Sequence, residues 1–343
     1  MTKVLKVDAV EPDTGKIAIA AKAITEGGLV AFPTETVYGL GANALDPEAV
    51  AMIFKAKNRP ADNPLIVHIS KMTQLREVAE GVSPRMLNIA EKVWPGPLTF
   101  LFRKSDRLPQ AVCGLTDKVA VRMPSHPVAL ALISAACVPI AAPSANLSTR
   151  PSPTSAAHVL ADLDGKVDIV LDAGDTFFGV ESTIIDATCR PFRLLRPGAC
   201  TLEELQRLLG RVSVPMSVKK AESSAHAIAP GMKYRHYAPS KPLYMLGNKG
   251  FSHKLFAMKN VGIICSRELC RSYRGAGKNV IILGSEKNLY EIARNLFKSL
   301  RALDELDVEF GIIETFKEEG IGLAIMNRIK KASADMELPS TVR

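Results

Sequence analysis

Through its first two hundred residues the chain alternates segments whose apolar positions recur every three or four residues with short runs that are apolar on both faces, the pattern of helices laid on a covered sheet. Strands are predicted at residues 29–34 (LVAFPT), 65–70 (LIVHIS), 98–103 (LTFLFR), 119–124 (VAVRMP), 138–144 (VPIAAPS), 168–174 (DIVLDAG), 182–188 (STIIDAT) and 192–198 (FRLLRPG). Helix boundaries carry their own chemistry. The helical spacing of 16–26 stops at Gly27-Gly28, and Asp46-Pro47 and Ser83-Pro84 each set a capping oxygen before a proline suited to the first helical turn. Thr201 and Glu204 form a capping box that opens a helix to about Leu209. Strands and helices in alternation define an α/β layered domain.

Residues 211–240, RVSVPMSVKKAESSAHAIAPGMKYRHYAPS, lose this periodicity and gain Ser, Pro, Gly and Lys, which places a linker there. Beyond it, strands at 242–247, 261–266 and 279–285 with helices near 286–303 and 317–333 predict a smaller three-layer α/β unit. The expected organisation is a first domain of residues 1–210, a linker of 211–240 and a second domain of 241–343.

Composition supports two globular domains. Of 343 residues, 47% are hydrophobic and 23% charged, which excludes disorder on the scale of the chain. The net charge of +9 suits an anionic partner such as a nucleotide or RNA without deciding for one. From Lys241 onward 17 basic residues face 12 acidic ones, spread out rather than gathered into a basic arm. Six cysteines form no C-x-x-C pair and six histidines stand singly, so neither a zinc site nor a disulfide framework is expected, and a reducing, cytoplasmic setting is. The opening MTKVLKVDAVEPDTG lacks the apolar core of a signal peptide. Met123 to Thr149 carries no Asp, Glu, Lys or Arg, but Pro124, Pro127, Pro139 and Pro143 interrupt it, so a buried helix and strand are expected rather than a membrane span.

Neither G-x-x-x-x-G-K-[ST] nor G-x-G-x-x-G follows a predicted strand, so a nucleotide bound here would be held by side chains. Three clusters at strand ends offer them. Lys55, Lys57, Arg59 and Asn63 end a capped helix; the helix dipole accounts for cations there, while Pro60 and Pro64 stiffen the loop that presents Arg59, whose planar fork fits phosphate. Ser144, Asn146, Thr149, Arg150 and Ser152 form a loop of hydroxyls and amides, either a self-bonded turn or a set of neutral donors for phosphate and ribose. Glu181, Ser182, Thr183 and Asp186, followed by Arg193 and Arg196, bracket a possible pocket between adjacent strands. The segment Phe32 to Gly41 (FPTETVYGLG) adds hydroxyls and a carboxylate, with Gly39 and Gly41 open to close approach by a ligand or a plain turn. No Ser-His-Asp order, H-E-x-x-H or cysteine with an evident base points to a hydrolase.

In order along residues 15–210, FPTETVYGLG, the K-x-R of Lys57 and Arg59, PLIVHIS, the S-x-N of Ser144 and Asn146, and GVESTIID with LLRPG resemble the YrdC-like threonylcarbamoyl-AMP synthase family. APGMKYRHYAP at 229–239 and the trailing α/β unit resemble its long two-domain form. The resemblance implies an open twisted mixed sheet flanked by helices, a Rossmann-like second domain, and conversion of L-threonine, bicarbonate and ATP, with Mg²⁺, to threonylcarbamoyl-AMP and pyrophosphate. The product would pass to a tRNA threonylcarbamoyl transferase complex that modifies position 37. It further implies that Thr36, His68, Arg122, Ala142 and Ser182 hold threonine, and that Lys57, Arg59, Asn63, Lys118, Ser144, Asn146, Ser152 and Arg196 hold ATP, with Lys57 and Arg59 central to catalysis. No metal ligand of the protein is implied. The linker would fold over the site as a lid, with Tyr234, Arg235, His236 and Tyr237 as its polar groups and Tyr237 reaching the nucleotide. Two other readings stand beside this one. One is a module that binds double-stranded RNA or tRNA without catalysis, for which the chain lacks arginine-rich arms and K/R-G-F motifs. The other is a carbamoyl-adenylating enzyme of hydrogenase maturation, whose zinc-finger cysteines are missing.

Overall fold

The computed structural model describes residues 1–221, 229–230, 236–246, 260–272 and 279–333. Among them the first domain is built on a mixed sheet of β1 (Lys3–Lys6), β2 (Val30–Phe32), β3 (Gly39–Asn43), β4 (Ile66–His68), β5 (Ala79–Glu80), β6 (Leu98–Lys104), β7 (Lys118–Arg122), β8 (Ile140–Ala141), β9 (Ile169–Asp172), β10 (Thr183–Asp186), β11 (Phe192–Arg196) and β12 (Val212–Ser213). Their order is β1-β9-β2-β3-β8-β4-β7-β6-β10-β11-β12, with β5 beside β6. The α/β class and the mixed sheet agree with expectation.

Helices cover both faces. Ile17, Ala20 and Ile24 of the helix Thr14–Thr25 and Val128, Leu132 and Ile133 of the helix Pro127–Ala136 pack on Val30, Phe32 and Ile140. On the opposite face Val50 and Ile53 of the helix Pro47–Lys57 share a core with Leu65, Val67, Phe100 and Val121. The charge-free run around residues 123–149 is thus a core helix and strand. Among the described residues no helix is long and apolar enough to cross a membrane.

Local chemistry places the helix that matters most. Asp46 Oδ1 accepts the N–H groups of Glu48 (2.9 Å) and Ala49 (3.3 Å), Pro47 begins the first turn, and Asn58 in the left-handed region (φ 50°) ends the helix. Lys57 is therefore delivered at the last turn and Arg59 just beyond it. The capping box is formed as well, with the Thr201 N–H donating to Glu204 Oε2 at 2.7 Å and the Glu204 N–H to Thr201 Oγ1 at 3.3 Å.

Gly39 and Gly41, open to a plain turn or to close approach by a ligand, belong to β3, and of the two Gly39 lines the cavity described below. A Cβ at Gly41 would come within 2.7 Å of Ile140 Cγ2 and 2.8 Å of Phe32 Cε1, so neighbouring side chains, not a ligand, fill the space that glycine leaves.

The second domain has a parallel sheet of β13 (Leu243–Met245), β14 (Val261–Ser266), β15 (Val280–Gly284) and β16 (Phe310–Ile313) in the order β13-β16-β14-β15. Leu243, Ile264, Leu283 and Ile313 pack under the helices Leu289–Glu305 and Gly322–Ala332; Tyr244, Ile263, Cys265 and Ile312 cover the other face with Leu269 and Cys270. Such burial on both faces is what a parallel sheet requires.

The segment 211–240 departs from a featureless linker. β12 pairs with β11, and the helix Met216–Lys220 packs on the helix Gly322–Ala332, where Asn327 Nδ2 donates to the Val218 carbonyl (3.2 Å) and Lys330 Nζ to the Lys219 carbonyl (3.0 Å). These elements, of two and five residues, are too short to leave a periodicity. Tyr234 and Arg235 lie outside the described residues.

Candidate active site

Loops at strand ends converge on a hollow whose empty space, part of it open to solvent, is about 700 Å³. Its walls include Thr36, Lys57, Arg59, His68, Arg122, Ala142, Ser144, Asn146, Ser152, Ser182, Arg196 and Tyr237. The structure therefore brings together twelve of the fourteen residues expected at a site.

One end is assembled on the sheet. His68 and Arg122 are register partners on β4 and β7, so their side chains share a face. Arg122 Nη1 donates to Thr36 Oγ1 (2.9 Å), Nε to the Gly96 carbonyl (3.2 Å), and Nη2 lies 2.7 Å from Glu35 Oε1. Thr34 Oγ1 donates to the Val37 carbonyl (2.7 Å) and stands 2.8 Å from Thr36 Oγ1, so the Thr36 hydroxyl accepts from Arg122 and donates to Thr34. Ser182, at the entrance to β10, bonds Thr99 Oγ1 at 2.8 Å and accepts from Arg196 Nη2 at 3.1 Å. Burial, reinforced by Arg122, lowers His68 to about 3, and its Nδ1 has no hydrogen-bond partner among the described residues. A neutral, underused imidazole facing a cavity is suited to a polar ligand.

The other end is assembled on loops. Lys57 Nζ donates to the carbonyls of Ser144 and Asn146, which leaves one of its three donors for a ligand. Burial first, then the nearby Arg59 guanidinium, holds the Lys57 ammonium well below its usual range. Arg59 is braced by its own loop, with Nε donating to the Asn63 carbonyl (3.2 Å) and Nη2 to the Pro64 carbonyl (2.9 Å). Ser144 Oγ donates to Asn146 Oδ1 (2.5 Å), and Asn146 Nδ2 bonds the Leu147 and Arg150 carbonyls (2.7 and 2.9 Å), so this loop is both a self-bonded turn and a cavity wall. Tyr237 (φ 68°) stacks on Phe297 of the second domain with centroids 5.2 Å apart. Burial and the Glu181 carboxylate raise its hydroxyl's pKa and keep it protonated.

Two expected residues do not line the hollow. Asn63 is buried and contributes its carbonyl to Arg59, which makes it a brace for that side chain. Lys118 is paired with Asp186 at 3.1 Å, at the opposite end of β7 from Arg122. Other wall residues carried no expected role. Thr34, Ser148, Thr149, Arg150 and Glu181 come from segments already singled out, and the bonds of Glu181 show its part only in three dimensions. Its Oε1 accepts from Ser152 (2.6 Å) and its Oε2 from Arg328 Nε (2.9 Å). Burial would raise the Glu181 carboxyl, but Arg328 and Arg196 beside it bring it down to about 2.

A mixed α/β domain whose cavity gathers Lys57, Arg59, Arg122 and Arg196 beneath His236 and Tyr237 of the linker, followed by a second α/β domain, defines a two-domain α/β protein with a cationic pocket. The chain belongs to the threonylcarbamoyl-AMP synthase family: residues 22–198 match the family described as "Telomere recombination" and residues 200–334 the one described as "Threonylcarbamoyl-AMP synthase, C-terminal domain". It is 48% identical to the threonylcarbamoyl-AMP synthase of Pyrococcus abyssi over 93% of this chain and 94% of that one. To the Bacillus subtilis protein of the same name it is 41% identical over 95% of each chain. The crystal structure of P. abyssi Sua5 complexed with L-threonine superposes with a TM-score of 0.90, at 47% identity, covering 97% of this chain and 98% of that one.

Proposed function

We infer that this chain is a nucleotidyltransferase that joins L-threonine, bicarbonate and ATP into threonylcarbamoyl-AMP, releasing pyrophosphate, for the threonylcarbamoyladenosine at position 37 of tRNA. The observation that carries the reading is the single cavity in which one end, with His68 and Arg122 on strands and Thr36 and Ser182 beside them, faces a loop-built cationic end (Lys57, Arg59, Ser144, Asn146).

Threonine fits the first end. Arg122 is the fixed cation for its carboxylate, Thr36 and Ser182 offer hydroxyls, and neutral His68 can bond its side chain. The threonine amine adds to bicarbonate carbon with loss of water, giving a carbamate. A carbamate oxygen then forms a bond to the α-phosphorus of ATP while the bond from that phosphorus to the bridging oxygen breaks and pyrophosphate leaves. The reaction needs positioning and charge neutralisation more than a protein nucleophile, and Lys57, Arg59 and Arg196 supply both. Tyr237, over the same cavity, helps to exclude water from the mixed anhydride.

Glu181 is the one carboxylate on the wall among the described residues, and both of its oxygens are engaged. The protein thus offers Mg²⁺ no cage of its own, and the ion fits as the companion of the triphosphate, where it would supply neutralising charge. A reading as an RNA-binding module gains nothing from the geometry, because Lys57, Arg122 and Arg196 are buried in a cavity rather than arrayed on a surface. The unstable product calls for a transferase acting on tRNA as its consumer. The test is pyrophosphate release from ATP with threonine or bicarbonate omitted in turn. Release that depends on both is expected; release indifferent to either contradicts the reading.

A further inference from the structure

The two loops at the cationic end are each tied to the second domain by an arginine that does not itself line the cavity, half-buried Arg301 and fully buried Arg328. Arg301, on the helix Leu289–Glu305, donates through Nη2 to the Pro151 carbonyl (2.6 Å) and to Asp162 Oδ2 (2.7 Å), with Nη1 3.2 Å from Oδ1. Asp162 also receives Arg150 Nη1 (2.7 Å) and the Leu147 N–H (3.3 Å). The loop that follows Ser144 and Asn146 is thereby fixed at Leu147, Arg150 and Pro151, on a carboxylate that the second domain shares.

Arg328, on the helix Gly322–Ala332, does the same for the neighbouring loop. Its Nε meets Glu181 Oε2 at 2.9 Å and its Nη1 donates to the Pro197 carbonyl at 2.6 Å, next to Arg196. Through Glu181 it orients the Ser152 hydroxyl. Gly179, in the left-handed region (φ 69°), lies so close to this domain that a Cβ there would fall 2.4 Å from Arg294 Cα. Among the described residues no hydrogen bond or ion pair from the second domain reaches Thr36, His68 or Arg122, whose partners Glu35, Thr36 and Gly96 all belong to the first; Ser182, held by Arg196, touches the second domain only at one remove, through Pro197 and Glu181.

We propose that Arg301 and Arg328 are positioning residues for the nucleotide, so that the second domain completes one end of the active site and leaves the other to the sheet. A buried ion pair adds little net stability, yet a fork that fixes a loop to within a few tenths of an ångström matters greatly where a ligand must be aligned. The proposal rests on the functional reading above, which assigns that end to ATP.

The test compares R301M, R328M and the double variant E181Q/R328M with wild type in the full-length protein; the double substitution removes both charges of the Glu181–Arg328 pair. Binding of a non-hydrolysable ATP analogue is measured by calorimetry, and KM for ATP and threonine by pyrophosphate release. Each variant that keeps the wild-type circular dichroism spectrum should bind the analogue ~10-fold or more weakly and raise KM for ATP alike, with KM for threonine within about twofold of wild type. R328K, which restores charge without the fork, should bind better than R328M but short of wild type. Folded variants with unchanged analogue affinity, or with both KM values raised together, overturn the proposal. Wild-type turnover that ignored threonine or bicarbonate would instead sink the functional reading, and the analogue's affinity is read without turnover.

Discussion

The two ends of the cavity reach the same rigidity by different means. At the threonine end His68 and Arg122 stand on paired strands, and Arg122 is locked by loop groups of the same domain, Glu35, Thr36 and the Gly96 carbonyl. At the nucleotide end Lys57, Ser144, Asn146 and Glu181 sit at a helix terminus and in loops, and their order is borrowed from Asp162, Arg301 and Arg328. Strand pairing fixes its side chains wherever the sheet exists. Loops must be fixed by something else, and here much of that comes from another domain.

The largest expected effect comes from the cation that joins helix to loop. Lys57→Ala should lower pyrophosphate release ~10²-fold or more, as for loss of one preorganised charge contact, and should leave KM for threonine near wild type. A comparable rise in the threonine KM would erase the division between the ends.

Glu181 sharpens the comparison through pH. Its carboxyl is held from an ordinary 4.5 down to about 2, so its contribution is complete above pH 4.5 and is lost as pH falls toward 2. In urea unfolding over that window, wild type should lose a few kcal/mol relative to E181Q/R328M. Parallel curves would mean that Arg328 does not hold Glu181 ionised.

Binding of ATP should also move protons at one end only. Lys331, beside Arg328 and Arg196, is brought to about 7 by burial first and those guanidiniums second. A polyanion beside those guanidiniums raises it, so calorimetry at pH 8 in buffers of different ionisation enthalpy should find net proton uptake with the ATP analogue. It should find none with threonine, because His68, lowered to about 3, is neutral there. Equal uptake with both ligands would contradict the assignment.

The smallest effect is assigned to the lid. Tyr237→Phe keeps the stack on Phe297 and removes the hydroxyl, so ATP affinity should weaken by about two- to fivefold, on the scale of one modest hydrogen bond. Unchanged affinity and turnover would show that the ring packs and does no more.

How much of this was legible in the sequence follows the same divide. The eight strands expected in the first domain are all present, because apolar runs between turn residues declare themselves, and Asp46-Pro47 marked the helix that carries Lys57. β3 was hidden by Gly39 and Gly41, and β1, β5, β12 and β16 (FGII) were not expected either. At the site, K-x-R and S-x-N stood out as local clusters. Arg301 and Arg328 did not, since a lone arginine on an amphipathic helix reads as a solvated charge until its partner, 139 or 147 residues earlier, is in place. Asn63 and Lys118 show the converse, residues of the right type and position whose side chains stay outside the cavity.

The division between the ends is tested most directly by measuring KM for threonine and for ATP in Arg122→Met and Arg301→Met side by side. The account predicts a crossed pattern: Arg122→Met raises the threonine KM ~10-fold or more with little change for ATP, and Arg301→Met does the reverse. Both variants raising both constants in equal measure would contradict it.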